Sequence, residues 1–158
     1  MTIVNIRDTG RNSAKTSDVR ELAEKVQKPS DTEAITAANT ITAAESGTRF
    51  VMNTATARIQ TLPSPAAGLE YWFYVGATEP TGTHTVVTAS SANIIVGNVS
   101  SPEDAAGAVA TVTDADTISL VASKAVHGDF AHVWSDGTNW YLDGMCKVQD
   151  GITTTQAS

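Results

Sequence analysis

From Ala34 onward the chain is a succession of short β-prone runs cut by turn residues, and this pattern limits what it can fold into. The runs expected as strands are Ala34–Thr42, Arg49–Asn53, Ala57–Leu62, Leu69–Val75, His84–Ala89, Asn93–Val96, Ala108–Thr113, Thr117–Val121, Phe130–Ser135, Asn139–Leu142 and Cys146–Gln149. Breaks fall at Ser46-Gly47, Pro63 to Gly68, Thr81-Gly82, Pro102 to Gly107, His127-Gly128 and Asp136-Gly137. Many short strands at such spacing point to an all-β sandwich or barrel-like domain. Thr and Val favour strands, while the abundant Ala argues weakly against them. No fixed-period repeat is visible, so a solenoid is not expected.

The first 33 residues read differently, as an extended N-terminal arm containing one short helix over about 18–28. In "SDVRELAEKVQKP", Val19, Leu22, Ala23 and Val26 recur at helical spacing and form one apolar stripe. Ser17 or Asp18 can cap the first turn, and Lys25 and Lys28 sit at the end that favours cations. About three turns are marginal in isolation, so the arm is expected to order by docking. Arg7, Arg11, Lys15, Arg20, Lys25 and Lys28 oppose Asp8, Asp18, Glu21 and Glu24, a local excess of positive charge in a chain of net charge -7. Such an arm either binds an acidic partner, its own body or a neighbouring copy, or is a solvated tail. The acidic body would repel phosphates, so nucleic acid is not expected. Residues 34–150 form the β domain, and 151–158 read as a polar C-terminal tail.

No apolar run is long enough for a membrane span or a signal peptide, so the chain is expected to be made in a cytosol and to have no membrane partner. Its one cysteine, Cys146, has no partner for a disulfide within the chain. Catalytic constellations do not emerge. His84, His127 and His132 lack ligand spacing, and there is no nucleophile elbow, phosphate loop or dinucleotide fingerprint. Asp114 and Asp116 could share a cation, but the other positions of a calcium loop are missing. The expectation is a protein that is not an enzyme and uses no cofactor.

Aromatic residues concentrate in two places. In "LEYWFYV", Tyr71, Phe73 and Val75 alternate with Trp72 and Tyr74, so both faces of one strand are apolar. Such a strand lies between two layers or has one face covered by another chain, making Tyr71, Trp72, Phe73 and Tyr74 a packing or oligomer surface. In "HVWSDGTNWYLDG", Asp136-Gly137 signals a two-residue type I′ hairpin, with Val133 opposite Trp140 and Ala131 opposite Leu142. Trp134, Tyr141 and His132 then point the other way. A three-residue loop would instead put both tryptophans on one face. Either way the motif is mainly structural, with at least one tryptophan in the core.

The order "ITAANTITAAESGTRFVMNT", "IQTLPSPAAGLEYWFYVGA" and "ADTISLVASKAVHGDFAHVWSDGTNWYLDG" resembles the small β-rich capsid decoration, or cement, proteins of tailed bacteriophages. The resemblance covers most of Ile35 to Gly144, and the arm has no counterpart in it. It implies a noncatalytic protein on the outside of the virion capsid, commonly a homotrimer, that binds the major capsid protein and reinforces the shell. On this reading Arg7, Arg11, Lys15, Val19, Leu22 and Val26 form the capsid-binding arm. The competing expectation is an adhesion or carbohydrate-binding module of a phage fibre, with Trp134, Tyr141 or Trp72 stacking on sugar rings.

Overall fold

The computed structural model describes residues 31–101 and 109–158. The arm residues named above, with the helix expected over 18–28, lie outside the described residues. The described chain is all-β, built as two sheets around a shared core. Its strands are β1 Thr32–Ile35, β2 Asn39–Thr40, β3 Arg49–Met52, β4 Ile59–Thr61, β5 Glu70–Val75 and β6 His84–Val87. They continue with β7 Ile95–Ser100, β8 Val109–Ala115, β9 Thr117–Leu120, β10 Phe130–Ser135, β11 Trp140–Met145 and β12 Ile152–Thr155. A seven-stranded sheet has the order β1-β3-β5-β10-β11-β7-β8, and a five-stranded sheet has the order β12-β9-β6-β4-β2.

The first six strands alternate between the sheets and pair in parallel with the strand two places on. This part of the chain thus winds as three coils, which the sequence did not lead one to expect. Its period is hidden because the coils differ in length: the aligned positions Thr32, Arg49 and Trp72 are unevenly spaced, as are Asn39, Gln60 and Val86. The later strands complete both sheets. Strands β9 and β12 extend one antiparallel to β6, and the β10–β11 hairpin joins β5 to the β7–β8 pair in the other.

Three other expectations change. The run Ala34–Thr42 splits into β1 and β2, one in each sheet, with a bend at Ala37. Cys146–Gln149 is a loop, not a strand, and buries Cys146 beneath it. The segment 151–158 is more than a polar tail, because Ile152–Thr155 pairs with β9 and buries Ile152. Its threonines suit a strand once a neighbouring edge supplies hydrogen bonds.

The core fills the space between the sheets at close to full burial. Phe50, Met52, Tyr71, Phe73, Val133 and Trp140 come from the seven-stranded sheet, and Val86, Ile118 and Leu120 from the other. Phe50 stacks on Phe73 with ring centroids 5.4 Å apart, and Tyr71 meets Trp140 at 5.8 Å. Phe73 lies in register with Ala131, which lies in register with Gly144, so small residues make room beside a large ring. Gly97 has a sharper requirement. Its φ is +145°, and a Cβ there would lie 2.0 Å from the Leu142 carbonyl oxygen, at the bulge where β7 changes register with β8.

Candidate interaction face

The three Trp, three Tyr and three Phe residues all lie on β3, β5, β10 and β11. Alternation along these strands sends Phe50, Tyr71, Phe73 and Trp140 inward. It sends Trp72, Tyr74, Phe130, Trp134 and Tyr141 to the outer face of the seven-stranded sheet. The expected surface of Tyr71 to Tyr74 therefore divides: Tyr71 and Phe73 are core, and Trp72 and Tyr74 belong to the outer face.

Register arranges the outer side chains in rows. One runs Thr32, Arg49, Trp72, His132, Asp143, Asn98 and Thr111 across the sheet. The next runs Ala34, Val51, Tyr74, Phe130, Met145, Ser100 and Val109, and is apolar for most of its length. Met145 is 48% exposed and Val109 54%. Trp72 stacks on His132 at 3.8 Å with ring planes 11° apart, and on Tyr74 at 6.0 Å. Phe130 fills the angle between Trp72 and Tyr74. His132 Nε2 lies 3.6 Å from a Glu70 carboxylate oxygen.

The hairpin tip differs from the expected two-residue turn. Ser135 pairs with Trp140, Trp134 with Tyr141 and Val133 with Leu142, so residues 136–139 form the loop. Gly137 has a φ of +102°, but Asp136 is not among the residues of positive φ, which a type I′ turn requires. Asp136 accepts hydrogen bonds from the Thr138 and Asn139 N–H groups, each at 2.8 Å, and this side-chain turn holds the longer loop. The displacement is two positions along the pairing, so every side chain keeps the face expected of it. Trp140 is buried, while Trp134 is 43% exposed and stacks on Tyr141 at 4.2 Å. The Tyr141 hydroxyl donates to Asp136 at 3.0 Å. Hydrogen bonds from Asn139, Thr138 and Tyr141 hold the Asp136 carboxyl below its ordinary range, and donation to Asp136 raises the Tyr141 phenol.

Sequence reasoning did not assign Phe130, Met145, Arg49 or Asp143 to this face. Period-two spacing already links Phe130 and His132 to Trp134, but their neighbours across the sheet follow only from strand order. Two further groups with shifted pKa values, His84 and Tyr71, lie in the interior. His84 is fully buried, accepting from the Arg58 N–H at Nδ1 and donating from Nε2 to the Thr54 carbonyl, and burial lowers its pKa. Tyr71 donates to the Thr42 carbonyl, and burial followed by the nearby Glu45 charge pushes its phenol up to about 12. Among the described residues, no group of three or more His, Cys, Asp or Glu is placed to hold a metal ion, and no helix is long and apolar enough to cross a membrane. No protein-family model, curated protein or solved structure matches the chain.

Proposed function

We propose that this chain is a noncatalytic structural protein of a tailed-phage virion, which binds the outer surface of the capsid and stabilises the shell. The observation that carries the reading is the patch of Trp72, Tyr74, Phe130 and Met145, on two adjacent rows of the seven-stranded sheet turned away from the core. Aromatic residues and methionine are enriched where proteins meet, and an apolar row with charged groups beside it has the composition of such a contact. The choice of a capsid as the assembly rests on the resemblance carried by the three runs from Ile35 to Gly144.

In this reading the body self-associates through its aromatic face, and the N-terminal arm engages the major capsid protein. Repeated weak contacts gain avidity from linkage, and a protein that binds only the assembled shell shifts the equilibrium toward it. Stacking on glycans is less well supported by the same face. Trp72 lies against His132 and Trp134 against Tyr141, so these rings turn their flat sides to one another. Each stack covers one flat side of Trp72 and of Trp134 and so halves the area a sugar could use, whereas a protein surface can also pack against ring edges.

Co-sedimentation of the purified protein with undecorated phage capsids tests the proposal. Saturable binding is expected, and Phe130→Asp is expected to weaken it at least about tenfold, because a carboxylate would be forced against an apolar surface. Retention on a glycan polymer, with no binding to capsids, would overturn it.

A further inference from the structure

The outer face of the seven-stranded sheet carries a pattern that repeats itself under a two-fold rotation. Consider an axis lying along the surface, parallel to the strands, between β5 and β10. Rotation about it lays a second copy face to face on the first and exchanges strands at equal distances from the axis. Strand β5 then lies over the partner's β10, and β3 over the partner's β11.

The rows supply the matches. Trp72 falls opposite the partner's His132, and Tyr74 opposite the partner's Phe130. One strand further out, Val51 falls opposite the partner's Met145, and the Arg49 guanidinium opposite the partner's Asp143 carboxylate. Each match occurs twice. Arg49 and Asp143 are both exposed, and neither has an ion-pair partner among the described residues. Their strands lie about one and a half strand spacings from the axis, roughly 7 Å. At that distance the twist between two aligned sheets, about 30°, displaces facing residues by only a few ångströms.

We propose that two copies of this chain pair through this face, with apolar contacts of Tyr74 and Phe130 beside the axis, those of Val51 and Met145 one strand further out, and two Arg49–Asp143 ion pairs on those outer strands fixing the register. The proposal rests on reading the aromatic face as a protein contact and gives that contact its partner and symmetry. It favours two copies over the three implied by the resemblance. Like charges placed opposite each other penalise wrong registers, so the ion pairs contribute specificity more than affinity.

Charge exchange in the full-length chain tests it by analytical ultracentrifugation, without capsids, so the outcome is independent of whether shells are bound. The wild-type protein is expected to be a dimer. R49D and D143R each place like charges opposite one another at both ends of the interface, and each is expected to weaken association at least about tenfold. The double variant R49D/D143R restores opposite charges and is expected to return to within about threefold of wild type. Both positions are exposed, and a cooperative thermal unfolding transition with a native-like circular dichroism spectrum would confirm that the variants remain folded. A monomeric or trimeric wild-type protein, single variants that associate normally, or a double variant that stays as weak as the singles would each overturn the proposal.

Discussion

The outer faces of the two sheets solve the same problem with different chemistry. On the five-stranded sheet the outward positions are Thr153, Ser119, Thr85 and Ile59 in one row, and Thr155, Thr117, Val87 and Thr61 in the next. On the seven-stranded sheet, corresponding rows carry Trp72, His132, Tyr74, Phe130 and Met145. Threonine suits a solvated sheet because its branched carbon favours extended backbone and its hydroxyl satisfies water. One half of the molecule therefore demonstrates that an outer face of this fold needs no rings. The proposed contact supplies a reason for the aromatic side chains of the other sheet.

Substitutions can separate what each layer does. The largest loss is expected within the core: Trp140→Ala should cost about 3 to 5 kcal/mol in urea unfolding, since the ring is fully buried between the sheets. Gly97→Ala should follow at about 3 kcal/mol, because the added methyl group meets the Leu142 carbonyl and the backbone has a positive φ. An unfolding midpoint equal to that of wild type would show that β7 can move away from β11 at little cost.

A smaller effect is expected from His84, on the inner side of the threonine-bearing sheet. Its folded pKa lies below 6.5, so as pH falls the unfolded chain takes up a proton before the folded chain does. The resulting stability is complete above about 6.5 and declines below it. Unfolding midpoints measured between pH 7.5 and 5 should therefore fall, and His84→Gln should flatten that part of the curve. Asp136 acts lower, below its ordinary value of 3.8, so the two windows separate.

The smallest stability changes are expected on the outer faces, where the comparison is sharpest. Trp134→Ala should cost about 1 kcal/mol, mostly the stack on Tyr141. Thr85→Ala should change stability by no more than about 0.5 kcal/mol. Association should distinguish the faces: Phe130→Asp should abolish pairing in a sedimentation experiment, and Thr85→Asp should leave it intact. Equal effects at the two positions would break the distinction drawn between them.

The alternation of side chains was legible in the sequence; the order of strands was not. In β10 and β11 the period-two pattern assigns every residue to its observed face, although the turn is longer than Asp136-Gly137 alone suggests. That error comes from one carboxylate, whose two backbone hydrogen bonds stabilise a loop that dipeptide preferences do not describe. Ile152–Thr155 escaped notice because its threonines carry little apolar signal, and its partner Thr117–Leu120 is remote in sequence. The same limit hides the aromatic outer face. Trp72 and His132 are adjacent only because β10 inserts beside β5.

That insertion also sets a timetable for synthesis. Strand β7 reaches the large sheet only through β11, and β5 obtains its second neighbour only from β10, which leaves the ribosome roughly fifty residues later. At about 5 to 20 residues per second, the most aromatic strand of the chain waits several seconds with an unpaired edge. Nascent chains halted before residue 130 should therefore be protease-sensitive and retained by chaperones, and resistance should appear once residue 145 has cleared the exit tunnel. The strand that anchors the finished core is, until then, the segment most exposed to mispairing with another nascent copy.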